Sequence, residues 1–114
     1  MELNLHCADS AELVCPECDS AYGLHHQQIT AVFRQREDGD GTATTVALAR
    51  TTLNAAKASD LPGRRDCIEI EFSCENCGEL ATVLRIEQHK GMTRLCWVPV
   101  GKRLSRLTGG GSNG

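Results

Sequence analysis

Two Cys-x-x-Cys pairs, Cys15-Pro-Glu-Cys18 and Cys74-Glu-Asn-Cys77, are the residues best suited to chemistry in this chain. A tight turn brings both sulfurs of such a pair to one side, and backbone N–H groups aimed at them stabilise thiolate charge. Two such knuckles close a tetrahedron around Zn²⁺ with Zn–S bonds of ~2.3 Å. The flanking residues suit that geometry. Pro16 fixes φ at the first turn position. Gly78 can take the positive φ that the second knuckle needs, and Asp19 holds the matching place in the first, being one of the few other residues that tolerate it. The expected cofactor is one structural Zn²⁺ held by Cys15, Cys18, Cys74 and Cys77. Redox work by either pair would call for a thioredoxin-like βαβ pattern, which the sequence lacks.

Residues 19–73, 55 in all, separate the two pairs. Usual spacings are about 15–20 residues, so a long insertion must leave the first knuckle and return to the second. Its pattern is that of strands. Residues 27–35 alternate, with Ile29, Ala31 and Phe33 on one face. Asp38-Gly39-Asp40-Gly41 signals a turn, and residues 43–50 read as the return strand; a helix over 44–58 is the competing reading. Residues 51–63 read as a linker with at most one helical turn. From Cys67 to Phe72, Ile68, Ile70 and Phe72 point one way and Cys67, Glu69 and Glu71 the other. After the second knuckle, residues 82–88 resume as a strand with Leu84 and Ile86 inward. Lys90-Gly91 turns the chain, and residues 93–100 return, with Pro99 placing this strand at an edge. The expected fold is all-β and small: antiparallel hairpins joined by a four-cysteine zinc ribbon. One domain is expected over 1–101, followed by a basic, then glycine-rich, disordered tail over 102–114.

The chain carries 114 residues, seven cysteines, four aromatic residues and a net charge of −3. No apolar run approaches the ~20 residues of a membrane span, and the first residues have neither the positive nor the apolar region of a secretory signal. A reducing, cytoplasmic setting is the expectation, where paired cysteines bind metal more often than they form disulfides. Cys7, Cys67 and Cys96 fall outside the two pairs; Cys67 and Cys96 sit in expected strands as small buried hydrophobes. A core this small is marginal without a staple.

Charge is unevenly placed. Residues 1–24 carry no Lys or Arg, whereas Arg85, Lys90, Arg94, Lys102, Arg103 and Arg106 face only Glu87 beyond residue 84. A basic end on an acidic body suggests a polyanion partner or a solvated tail. Candidate recognition residues are His25, His26, Arg64, Arg65, Arg85, His89, Lys90, Arg94, Lys102 and Arg103. Trp97 alone lies near the basic part, so the aromatic platform of a single-strand binder is missing. The expected work is non-catalytic binding, to DNA or RNA, with a protein adaptor as the alternative. A ββα-metal nuclease is the enzymatic alternative, prompted by Leu24-His25-His26 after the first knuckle. It would need a helix after Cys77 where the pattern reads as strand.

Taken together, Cys15-Pro-Glu-Cys18, Leu24-His25-His26, Arg64-Arg65 ahead of Ile68-Glu-Ile-Glu-Phe72, Cys74-Glu-Asn-Cys77-Gly78 and Gln88-His89-Lys90-Gly91-Met92-Thr93 with Trp97 resemble the small zinc-ribbon proteins of actinobacteria, their phages and mobile elements. The resemblance covers about residues 13–98. It implies the ribbon, a bacterial or phage setting and importance for His25, His26, His89, Lys90 and Gly91, and it implies no activity. The chain departs from the pattern at Asp19, where glycine is commoner, and in its three extra cysteines, which leave a second metal site open.

Overall fold

The computed structural model describes residues 10–78, 80–98 and 104. Six strands form one antiparallel sheet: β1 (Leu24–Arg34), β2 (Gly41–Ala47), β3 (Arg50–Ala56), β4 (Cys67–Cys74), β5 (Leu80–His89) and β6 (Met92–Val98). Their spatial order is β3-β2-β1-β4-β5-β6. The described helical pieces are two single 3₁₀ turns, Ala58–Asp60 and Glu75–Cys77.

The turns follow from local chemistry. Between β1 and β2 the Gln35 N–H donates to the Asp40 carbonyl at 2.9 Å, and Asp38 takes φ 61°. At the β5–β6 connection Lys90 and Gly91 have φ 50° and 82°. Positive φ at both central residues matches the right-handed twist of a two-residue hairpin. Gly41 has no alternative: a Cβ there would lie 2.1 Å from the Phe33 carbonyl oxygen.

The stretch expected to be a linker, 51–63, is corrected by β3. The return strand stops at Ala47, Leu48 and Ala49 turn, and residues 50–56 pair with β2 over its whole length. No glycine, asparagine or aspartate marks this turn; Ala49 takes φ 62° instead, a conformation costing about 1–2 kcal/mol for a residue with a Cβ. Seven paired residues offset that cost, and Thr51 and Thr52 suit a pleated surface.

Register assigns the strand residues to two faces. Ile29, Ala31 and Phe33 share one with Ile68, Ile70 and Phe72, while Thr30 and Val32 share the other with Cys67 and Glu69. The second face holds most of the core: Val32, Ala43, Ala56, Cys67 and Leu104 pack together, with Leu61 against them. Leu104 falls in the stretch expected as tail, so the boundary at 101 comes too early for this residue; 99–103 and 105–114 lie outside the described residues. The polar members of this face are paired inside it. Thr30 and Thr45 hydroxyls meet at 3.0 Å. Glu69 receives Nε–H and Nη2–H of Arg85, both at 2.7 Å, and the Leu104 N–H.

Candidate functional site

The sheet solves the problem of the long insertion. β1 leaves the first knuckle and β4 returns beside it, so Leu24 lies opposite Cys74. Further bonds stitch the two knuckles. Glu75 N–H donates to the Gly23 carbonyl at 3.0 Å and Asn76 Nδ2 to the Tyr22 carbonyl at 2.6 Å. His25 Nε2 lies 2.7 Å from Glu75 Oε2.

Each knuckle has the expected form. Asp19 N–H bonds to the Cys15 carbonyl at 2.8 Å, and Asp19 adopts φ 62°. Gly78, in the same place after the second pair, has φ 65°. The Glu17 N–H points at Cys15 Sγ at 3.4 Å. All four Sγ atoms lie within 4.8 Å of one another; Cys15 to Cys77 is 3.9 Å and Cys18 to Cys74 is 3.8 Å. A tetrahedron with metal–sulfur bonds of ~2.3 Å has an edge of about 3.8 Å. The cluster therefore fits a four-coordinate ion. Cys15 and Cys74 are buried, Cys77 is half-buried and Cys18 is exposed, so the site sits at the end of the sheet.

The electrostatics say the same. Burial would raise the Cys15 thiol, but N–H groups of Glu17 and Cys18 and the neighbouring Cys74 and Cys18 thiols bring it down to about 7. Burial pushes Cys77 up to about 12, with the other three thiols adding to it, and Cys74 is also raised, by burial first. One thiolate forms readily and makes its neighbours harder to ionise. A bound cation reverses that repulsion and holds all four as thiolates.

The other cysteines behave differently. Burial pushes Cys67 up to about 11 and raises Cys96, so both stay neutral thiols in the sheet. Cys7 lies outside the described residues, and none of the described cysteines is in a disulfide.

No family model, curated protein or solved structure matches the chain.

The candidate recognition residues divide into groups. Arg85 is corrected: expected to contact a phosphate, its side chain is 14% exposed and is held by Glu69, with Glu87 at 3.8 Å. Its alternating register puts it on the packed face, and charge counting alone gave no sign of this. Arg94 is exposed on the edge strand β6. Lys102 and Arg103 lie outside the described residues. His25 and His26 sit on opposite faces, as adjacent strand residues do, and a bulge follows them. The strand β5, not a helix, follows the second knuckle.

Arg64, Arg65, His89 and Lys90 are brought together. They line a cavity of about 390 Å³ with Glu37, Gln88, Gly63 and Gly91. The loop carrying the two arginines is tied to the end of β1. Asp66 accepts the Arg34 N–H at 2.8 Å, and the Asp38 N–H donates to the Arg64 carbonyl at 2.8 Å. Arg64 reaches Glu37 and Asp38, each at 3.2 Å, and Arg65 reaches Glu37 at 3.6 Å. Glu37 and Gln88 were not among the expected site residues; the acidic pair Glu37-Asp38 beside the turn was the available signal. The cleft continues into a second cavity lined by Arg34, Arg36 and Arg65, where Arg34 Nε has no hydrogen-bond partner among the described residues.

Proposed function

We propose that the protein is a non-catalytic, zinc-stapled β module that grips the phosphate backbone of a nucleic acid in the cleft between the 62–65 loop and the β5–β6 turn. The observation that carries this reading is the gathering of Arg64, Arg65, His89 and Lys90, from two segments distant in sequence, around one cavity. Arginine offers a planar fork of donors that matches phosphate, and lysine a compact charge. The ion pairs of Arg64 and Arg65 with Glu37 and Asp38 are solvent-exposed, worth at most about 1 kcal/mol each, so an incoming phosphate can displace them. Zinc is the ion assigned to the cluster because four thiolates at tetrahedral spacing with no open position suit a structural Zn²⁺ site. The resemblance to actinobacterial and phage zinc-ribbon proteins rests on the quoted motifs and adds no activity to this reading.

A salt-series titration with DNA and RNA tests it. If two or three phosphates are engaged, log K falls against log salt with a slope of about −2 to −3 on duplex DNA. Lys90→Ala and Arg65→Ala should each weaken binding to all sequences alike and lower that slope by about 1. Binding that is absent at low salt, or unchanged in both variants, overturns the reading.

A further inference from the structure

The basic cleft opens into a second cavity of about 510 Å³, and Glu37, Arg65 and Gln88 line both. That volume lies within the ~300–1,000 Å³ of small-ligand pockets. Its walls differ from those of the first. Phe33, Ile68, Ile86 and Gln88 line it, and register places all four on one face of the sheet. Burial falls along that face: Phe72 and Leu84 are buried, whereas Phe33 is 60% exposed and Gln88 is exposed. The open end therefore carries an accessible aromatic ring beside the cations of the cleft. In the sequence Phe33 lies far from His89 and Lys90; the β1–β4–β5 ladder brings it beside the cleft they line. Arg34 is committed elsewhere. Its Nη2 donates to the Pro62 and Gly63 carbonyls at 3.1 and 3.3 Å, which fixes the 62–65 loop against β1. Gln88 Nε2 donates to Thr93 Oγ1 at 2.8 Å, which steadies an amide able to bond a base edge.

We infer that this second cavity takes an unpaired base, so that the ligand of the cleft is a single-stranded nucleic acid, with one base lying on the Phe33 ring while Arg64, Arg65 and Lys90 hold the adjoining phosphates. This rests on the phosphate-binding reading above and narrows it. In a duplex the bases are paired and stacked inside, and only sugar and phosphate would meet the apolar wall. A single strand can splay a base out onto an aromatic side chain. Stacking of that kind accepts every base, because each has a π-face. The arrangement matches a nucleotide in its two halves: charge on one side, a flat apolar surface on the other. An acidic peptide would satisfy the cations but would leave the ring and the two isoleucines without an apolar partner.

Titrations of the metal-loaded full chain test it, using a short mixed-sequence DNA strand, the same length of abasic sugar-phosphate, and the duplex. The base-bearing strand should bind about 5- to 150-fold more tightly than the abasic one, the span expected for one stacked base. Phe33→Ala should bring the two strands to equal affinity and leave the duplex unaffected. It should not change the salt slope, because no phosphate contact is lost, nor the metal content or the melt. Phe33→Trp keeps a stacking surface and should retain the preference. Leu53→Ala, exposed on the same face but outside both cavities, should change nothing. The outcomes separate the two readings. If no nucleic acid binds at low salt, the phosphate-binding reading falls and this inference with it. If the abasic strand binds as tightly as the base-bearing one, or if Phe33→Ala weakens both alike or leaves the preference standing, phosphate binding survives and the base site is overturned. Binding of an acidic peptide in place of any nucleic acid overturns both.

Discussion

Cys74→Ser is expected to abolish the cooperative thermal transition. Cys74 ends β4, opens the second knuckle and faces Leu24 across the ladder, so it joins the metal cluster to the two central strands. A structural Zn²⁺ on a four-thiolate site contributes roughly 10–16 kcal/mol of apparent binding energy near neutral pH. Net stabilities of small domains are about 5–15 kcal/mol. Loss of a buried ligand therefore removes a quantity comparable to the whole margin. Serine is near in size, so packing alone would predict a change of about 1–2 kcal/mol. Calorimetry separates the two cases. A broad or absent transition agrees with the account; a sharp transition displaced by a few degrees does not.

The second large effect is expected at Glu69, which is 3% exposed. Its two oxygens hold the Arg85 guanidinium and the Leu104 N–H. Glu69→Ala takes from Arg85 the carboxylate oxygen that meets its Nε and Nη2 on the packed face and takes from the Leu104 N–H its acceptor. Breaking a buried pair on one side costs about 3–5 kcal/mol. That corresponds to a fall in melting temperature of roughly 12–30 °C for a domain of this size. A double replacement, Glu69→Leu with Arg85→Met, should recover most of the loss, because the uncompensated charge is gone as well. A single-variant shift of under 5 °C would mean that the pair is solvated and adds little.

How far the fold could be read in advance depended on whether a signal was local. Both knuckles were legible, down to the left-handed residues Asp19 and Gly78, because spacing and conformational tolerance are properties of a few neighbouring residues. The period-two pattern of residues 67–72 correctly sorted that strand into its two faces. It could not say which face would be buried. Ile29 and Phe33 look like core residues, yet they are exposed, while Phe72 and Leu84 on the same face are buried and Thr30 and Glu69 are enclosed on the other. Alternation gives sidedness; coverage depends on distant segments such as the one that contributes Leu104. β3 was missed for a different reason. Its turn, Leu48-Ala49, has no residue that favours positive φ, so strand pairing alone imposes the conformation. The basic cleft lay between these extremes. Arg64, Arg65, His89 and Lys90 were recognisable as candidates, but only the β1–β4–β5 ladder places the two loops side by side. Arg85, the same residue type as Arg64, was drawn into the sheet by Glu69 on the neighbouring strand.

The central claim is that a metal ion on Cys15, Cys18, Cys74 and Cys77 holds this sheet together. Elemental mass spectrometry on purified protein, followed by a melt of the same sample after chelation, tests it most directly. The account predicts one zinc per chain and loss of the cooperative transition when the ion is withdrawn, with recovery on adding Zn²⁺ back. Protein that carries no metal, or that keeps its full transition once stripped, would contradict it.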